Sequence, residues 1–275
     1  MIPTVVLGLV LGIIITFIWG KSLLTRLRRE SLKKKPFPLD WLVFLQTHSR
    51  VYPELSSSLQ KRLQGHIQVF LAEKQFIGCQ GFKITEEVKL TIAAQACLLL
   101  LNERGEYYPK LYSILVYPSI FIVNRTSSPY DYIQAEQRQI LSGESWGKGG
   151  QVVLSYEQIR WDLDHWQDGH NVILHEFAHQ LDQEDGQTDG VPILSHKSDY
   201  ITWARVFSQE YQQLCQQIKQ GKKTVINEYG ATHPAEFFAV ATETFFEKPQ
   251  QLLRKHPRLY EVLKNYYQLD PLLWC

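Results

Sequence analysis

The chain has 275 residues, 44% of them hydrophobic, with 29 basic and 28 acidic side chains and a formal net charge of +1. The balance is uneven: residues 1–35 hold seven basic residues and one acid, so the other 22 basic and 27 acidic residues leave the rest at −5. A mildly acidic body excludes a nucleic-acid binder, whose basic residues would gather on the folded part, and four scattered cysteines without a C-x-x-C pair exclude a cysteine metal knot or a disulfide framework.

Ile2 to Trp19 is an uncharged run of eighteen residues. As a helix it would span about 27 Å, enough for a hydrocarbon core. No basic residue precedes it, its exit is a poor cleavage site, and the basic residues from Lys21 to Lys35 follow it. The expectation is an uncleaved transmembrane anchor over 1–20 and a basic stalk over 21–40 lying on anionic headgroups, with a domain over 41–275 in the cytoplasm. Cysteines kept as reduced thiols agree with that compartment.

Pro36 and Pro38 break any helix continuing from the stalk. Leu59, Leu63, Ile67, Phe70 and Leu71 recur at helical spacing and predict a helix near Leu59 to Lys74. A more apolar helix follows near Glu86 to Leu101, with Cys97 as a small buried residue. Short β-rich runs occupy Ser113 to Val116, Ile120 to Val123 and Gln151 to Ser155. A helix near Thr202 to Lys219 and a Gly- and Pro-containing loop from Asp182 to Ser198 complete an α+β arrangement.

The most informative segment is His175-Glu176-Phe177-Ala178-His179. On a helix, residues four apart share one face, so the two imidazoles can hold one metal ion while Glu176, about 100° around the axis, stands beside it where a general base for a water belongs. Val172, Ile173, Leu174, Phe177, Ala178 and Leu181 make this helix apolar, with Asn171 as N-cap and Gly186 as stop. Burying two His and a Glu costs several kcal/mol unless something compensates them, and a metal ion does so. A catalytic zinc takes three protein ligands and leaves a position for water. The third ligand is sought between Tyr229 and Glu247, where Pro234 opens an apolar helix and Glu236 and Glu243 share one face. Either carboxylate can serve, or Glu243 can instead orient a ligand histidine, or one of them faces solvent. Asp182, on the face of the two histidines, either holds an imidazole or caps the helix. The remaining histidines, His170 among them, read as surface or structural residues.

Beyond these residues, the runs Phe70 to Cys79, Thr91 to Leu100, Ile114 to Pro118, Gly143 to Trp146, Val152 to Ser155, Asn171 to Leu194 and Tyr229 to Pro249 carry a resemblance. Over roughly residues 50 to 265 the chain resembles the Mlc titration factor A family of zinc-dependent peptidases. The resemblance implies a zincin-like metallopeptidase domain acting on a peptide or protein substrate. It implies one zinc per chain held by His175, His179 and Glu236, with Glu176 as catalytic base. It further implies that Tyr229, seven residues before the third ligand, stabilises the transition state; that spacing is similar to the one in the catalytic domain of anthrax lethal factor. Two departures stand out: His233, where some relatives have an acid, and the N-terminal hydrophobic run. The competing expectation is a regulatory binding protein that sequesters a transcriptional repressor at the membrane.

Overall fold

The computed structural model describes residue 20 and residues 22–102, 106–119 and 150–274. The hydrophobic run Ile2 to Trp19, the expected strand at Ile120 to Val123 and the Gly143 to Trp146 segment lie outside them.

Residues 22–33 form helix α1, and α2 (Leu39–His48) begins directly after Pro38, as the proline break requires. Helix α3 (Ser57–Glu73) starts where the Ser56 hydroxyl accepts from the Leu59 amide. Its stripe of Leu63, Ile67 and Phe70 is buried and packs on α4 (Glu86–Leu98). Helix α4 is buried nearly all round, from Val88 through Leu98, as its apolar composition requires of a central helix.

The segment expected as a free stalk is in part tied to the domain. On α1 the Arg29 guanidinium reaches both Glu73 carboxylate oxygens of α3 at 2.8 and 2.9 Å and lies 4.8 Å from the Tyr107 ring centre. The two helices cross closely at Gly65, where an added Cβ would sit 3.2 Å from Lys33.

Strands β1 (Gln75–Gly78), β2 (Ser113–Tyr117) and β3 (Gln151–Ser155) form a sheet in that order. Both pairings are parallel, with Ile114 opposite Phe76 and Val152, so each connection must cross over instead of turning back. The arrangement is thus helix-dominated around a small parallel sheet. After β3 come α5 (Tyr156–Asp164), α6 (Val172–Asp182) and α7 (Lys197–Lys219), the last beginning five residues earlier than the expected Thr202. A capping box between His196 and Asp199 accounts for that early start. Helices α8 (Pro234–Glu247), α9 (Pro249–Lys255) and α10 (Pro257–Tyr267) close the fold. Helix α8 is buried from Ala235 through Glu247. On one side Trp203 stacks on Phe207 at 4.0 Å and meets Phe238 edge-on at 5.6 Å.

The expected single-pass membrane localisation is corrected. Among the described residues no helix is long and apolar enough to cross a membrane. The longest, α7, has 23 residues but carries Lys197, Asp199, Arg205, Glu210 and Lys219; the apolar α8 has only 14. The single-pass localisation and the cytoplasmic assignment are therefore not carried forward; the run Ile2 to Trp19 expected as the anchor lies outside the described residues.

Buried His66 makes acid stability a measurable consequence of this packing. Its Nδ1 lies 2.6 Å from the Tyr107 hydroxyl, and burial, with the nearby Lys33 and Arg62 charges, lowers its pKa from 6.5 to about 4. Between those values the unfolded chain takes up a proton that the folded chain refuses, so stability falls as pH drops through that window, by up to about 3 kcal/mol. Urea unfolding of the wild type should therefore weaken more steeply between pH 6.5 and 4 than that of His66→Gln. Parallel pH profiles for the two proteins would refute the assignment.

Candidate metal centre

Helices α6 and α8 lie against each other, and each is fixed at its start. The Asn171 side-chain oxygen accepts from the Leu174 amide at 3.0 Å and caps α6. Pro234 occupies the first turn of α8, and exposed His233 caps it, its Nδ1 accepting from the Ala235 amide at 3.2 Å. The expected loop follows α6 through a 3-10 turn, Gln183–Asp185, and Gly186 at φ +101°. It then passes so close to α8 at Gly190, φ +80°, that an added Cβ would meet the Pro234 carbonyl oxygen at 2.4 Å.

One helical turn brings His175 and His179 together, their ring centres 4.8 Å apart. The His175 and His179 Nε2 atoms are 3.2 Å from each other and 3.0 and 3.2 Å from Glu236 Oε2. These residues form a group able to hold a metal ion among the described residues. Three lone-pair-bearing atoms converging in a buried place need a cation or a proton between them. The fit to zinc is close, because ligand atoms on a tetrahedral ion with bonds of roughly 2.0–2.1 Å stand about 3.3 Å apart. Burial alone would push the Glu236 carboxyl up; the two imidazoles overcome that and hold it well below the usual carboxylate range. Burial opposes charge on His175 too, but Glu243 and Glu236 on either side raise it well above its ordinary value. A metal cation competes for the place of that proton.

Glu243 lies on the opposite side of His175 from Glu236. Its Oε1 accepts from His175 Nδ1 at 2.7 Å and its Oε2 from the Asn171 amide at 2.5 Å. This fixes the ring's orientation and leaves Nε2 free for an ion. A further layer holds the start of α6. Glu247 accepts from the Asn171 side-chain amide at 3.1 Å and the Gly169 amide at 3.0 Å, and Asp162 accepts from the Val172 amide at 2.7 Å. Negative groups at a helix N-terminus are favourable. Burial pushes the Glu247 carboxyl up to about 8, against the hydrogen bonds from Asn171 and Gly169.

Glu176 is buried on α6. Burial pushes its carboxyl up, against the pull of His175 and His179. Tyr229 lies in a 3-10 turn, Glu228–Ala231, its ring 6.0 Å from that of His175. Its hydroxyl is buried without a hydrogen-bond partner among the described residues, and burial raises its pKa, so it stays a proton donor. All five expected site residues are thus gathered around one place. Asp182 is not among them: it is fully buried, faces the Gly190 and Val191 backbone, and is pushed by burial up to about 6. It does not hold His179, whose Nδ1 has no hydrogen-bond partner among the described residues.

Sequence reasoning passed over Asp162, Glu247 and His170. Glu247 had a signal, since residues 236, 243 and 247 fall on one helical face. His170 is no plain surface residue: its Nδ1 lies 3.7 Å from Asp162 and 4.0 Å from Glu243, and those carboxylates, Asp162 first, raise it to about 9. Asp162 had none, because only folding carries α5 to the start of α6.

Two histidines on α6, a carboxylate from α8 and a buried acid beside them define a centre of the metallopeptidase type. The chain belongs to the family described as glucose-regulated metallo-peptidase M90, whose model matches residues 24–268. It is 49% identical to an uncharacterised protein of Synechocystis sp. over 100% of both chains. It is 30% identical to Mlc titration factor A of Cronobacter sakazakii and 31% identical to that of Escherichia fergusonii, in each case over 80% of this chain and 82% of the relative. The family expected from the motifs is therefore the one found.

Proposed function

We propose that the protein is a zinc-dependent peptidase, with His175, His179 and Glu236 as the metal ligands and Glu176 as the general base. The observation that carries this reading is the convergence of the three ligand atoms at 3.0–3.2 Å beside a second buried acid, Glu176. When bound, zinc supplies Lewis acidity to a water and to the scissile carbonyl. Glu176 takes the proton of the attacking water and passes it to the departing amine. A carboxyl raised by burial suits both halves of that exchange. Tyr229 donates its hydroxyl proton in a hydrogen bond to the developing oxyanion. Glu243 keeps the His175 ring in place throughout. Strand β3 stands at the edge of the sheet among the described residues and packs on α6, so an extended substrate backbone can add to it.

The test is a peptide-library digest by the zinc-loaded full chain, read by mass spectrometry. The expected result is cleavage that a chelator abolishes and added zinc restores. A zinc-replete protein that cleaves no peptide would overturn the reading. The printed name of the relatives, Mlc titration factor A, supports a second one, capture of a repressor-type partner without hydrolysis. In that case partner binding would survive Glu176→Gln unchanged and no digest would be seen.

A further inference from the structure

The loop that leaves α6 comes back against the start of α8 at Gly190. We propose that Gly190 is the spacer that fixes how far Glu236 stands from His175 and His179, and that this spacing makes the centre select zinc over a larger divalent cation such as cadmium. The inference rests on the ligand assignment above and names a residue outside the ligand set that decides which ion the set holds.

Contact argues first. Gly190 is buried at φ +80°, and an added Cβ would stand 2.4 Å from the Pro234 carbonyl oxygen and 2.9 Å from its carbon. Pro234 lies on the first turn of α8, two residues before Glu236. Rigidity argues next. The Trp203 indole of α7 donates to the Gly190 carbonyl at 3.0 Å. That ring is itself buried, stacked on Phe207 and edge-on to Tyr266 at 5.3 Å. Fully buried Asp182, the last residue of α6, faces the Gly190 and Val191 backbone. The loop is thus pinned to α6 and α7, and the first turn of α8, with His233 and Pro234 exposed, is the part that yields to an added methyl.

Distance decides the direction. The three donor atoms stand 3.0–3.2 Å apart, close to the roughly 3.3 Å edge of a tetrahedral zinc site with bonds of about 2.0–2.1 Å. Closer approach would press unshared nitrogen and oxygen atoms below contact, so any shift of Glu236 that the fold tolerates opens the triangle. An open triangle suits an ion with longer bonds, since sites of one donor set choose between divalent ions by geometry. Glycine at 190 lets α8 come close enough to keep the triangle shut.

The experiment titrates full-length wild type, Gly190→Ala and Trp203→Phe, each stripped of metal, with zinc and separately with cadmium against a chromophoric chelator. Thermal unfolding checks that each is folded. Wild type should bind zinc more tightly than cadmium. Gly190→Ala should narrow the ratio of the two affinities by about tenfold, as residues that hold ligands from outside typically change metal affinity by about 10–100-fold. Trp203→Phe keeps a ring on Phe207 but removes the donor that holds the loop. It should move the ratio the same way by less, and it decides the question if Gly190→Ala does not fold. A general loss of stability would weaken both ions alike; folded variants with an unchanged ratio, or a wild type that prefers cadmium, would overturn the spacer and leave the ligand assignment intact. A wild type that binds neither ion, or zinc affinity untouched by Glu236→Ala, overturns both.

Discussion

Glu236→Ala should strip the purified protein of its metal, taking zinc from close to one per chain to a small fraction of that after desalting. Removing this carboxylate deletes the only anionic donor among the three converging atoms and leaves two neutral imidazoles. His179→Ala should do the same, because its Nε2 stands at the same 3.2 Å from both other ligand atoms. Elemental analysis is the measurement. Unchanged zinc in Glu236→Ala would sink the ligand assignment. Glu243 is a poor understudy for it, since its oxygens sit at the Nδ1 side of His175 and at the Asn171 amide.

Glu176→Gln separates the base from the ligands. The amide keeps size and polarity but cannot accept a proton, so hydrolysis of a peptide that the wild type cleaves should fall by at least about a hundredfold. Zinc should stay bound, because Glu176 is not one of the converging donors. Near-normal turnover would remove Glu176 as the base; loss of zinc would make it a structural support of the site instead. Tyr229→Phe belongs in the same assay with a smaller expected loss and full zinc, since it removes one hydrogen-bond donor and no ligand.

The family and the elements that carry the site could be read from residues alone, because they rest on local chemistry. The His175 to His179 spacing needs only the helical period, and Asn171 and Pro234 mark helix starts by what they do to their own backbone. The run Gln151 to Ser155 was recognisable as a strand for a similar reason: β-branched and apolar residues between turn signals. The early start of α7 was not, because a His in the capping position is an uncommon signal. The parallel pairing of the sheet was also out of reach, since strand direction depends on where α4 and the later chain return.

What the sequence determined by itself was the set of candidates: two histidines, a neighbouring base, and two acids on one face of a second helix. Which acid does what was decided only by the crossing of α6 and α8. Glu236 and Glu243 meet His175 across 61 and 68 residues of chain, one at Nε2 and the other at Nδ1. Helical periodicity places both acids on the same face and treats them alike. The packing of one buried helix against another sets them on opposite nitrogens of a single ring, because an imidazole offers just those two.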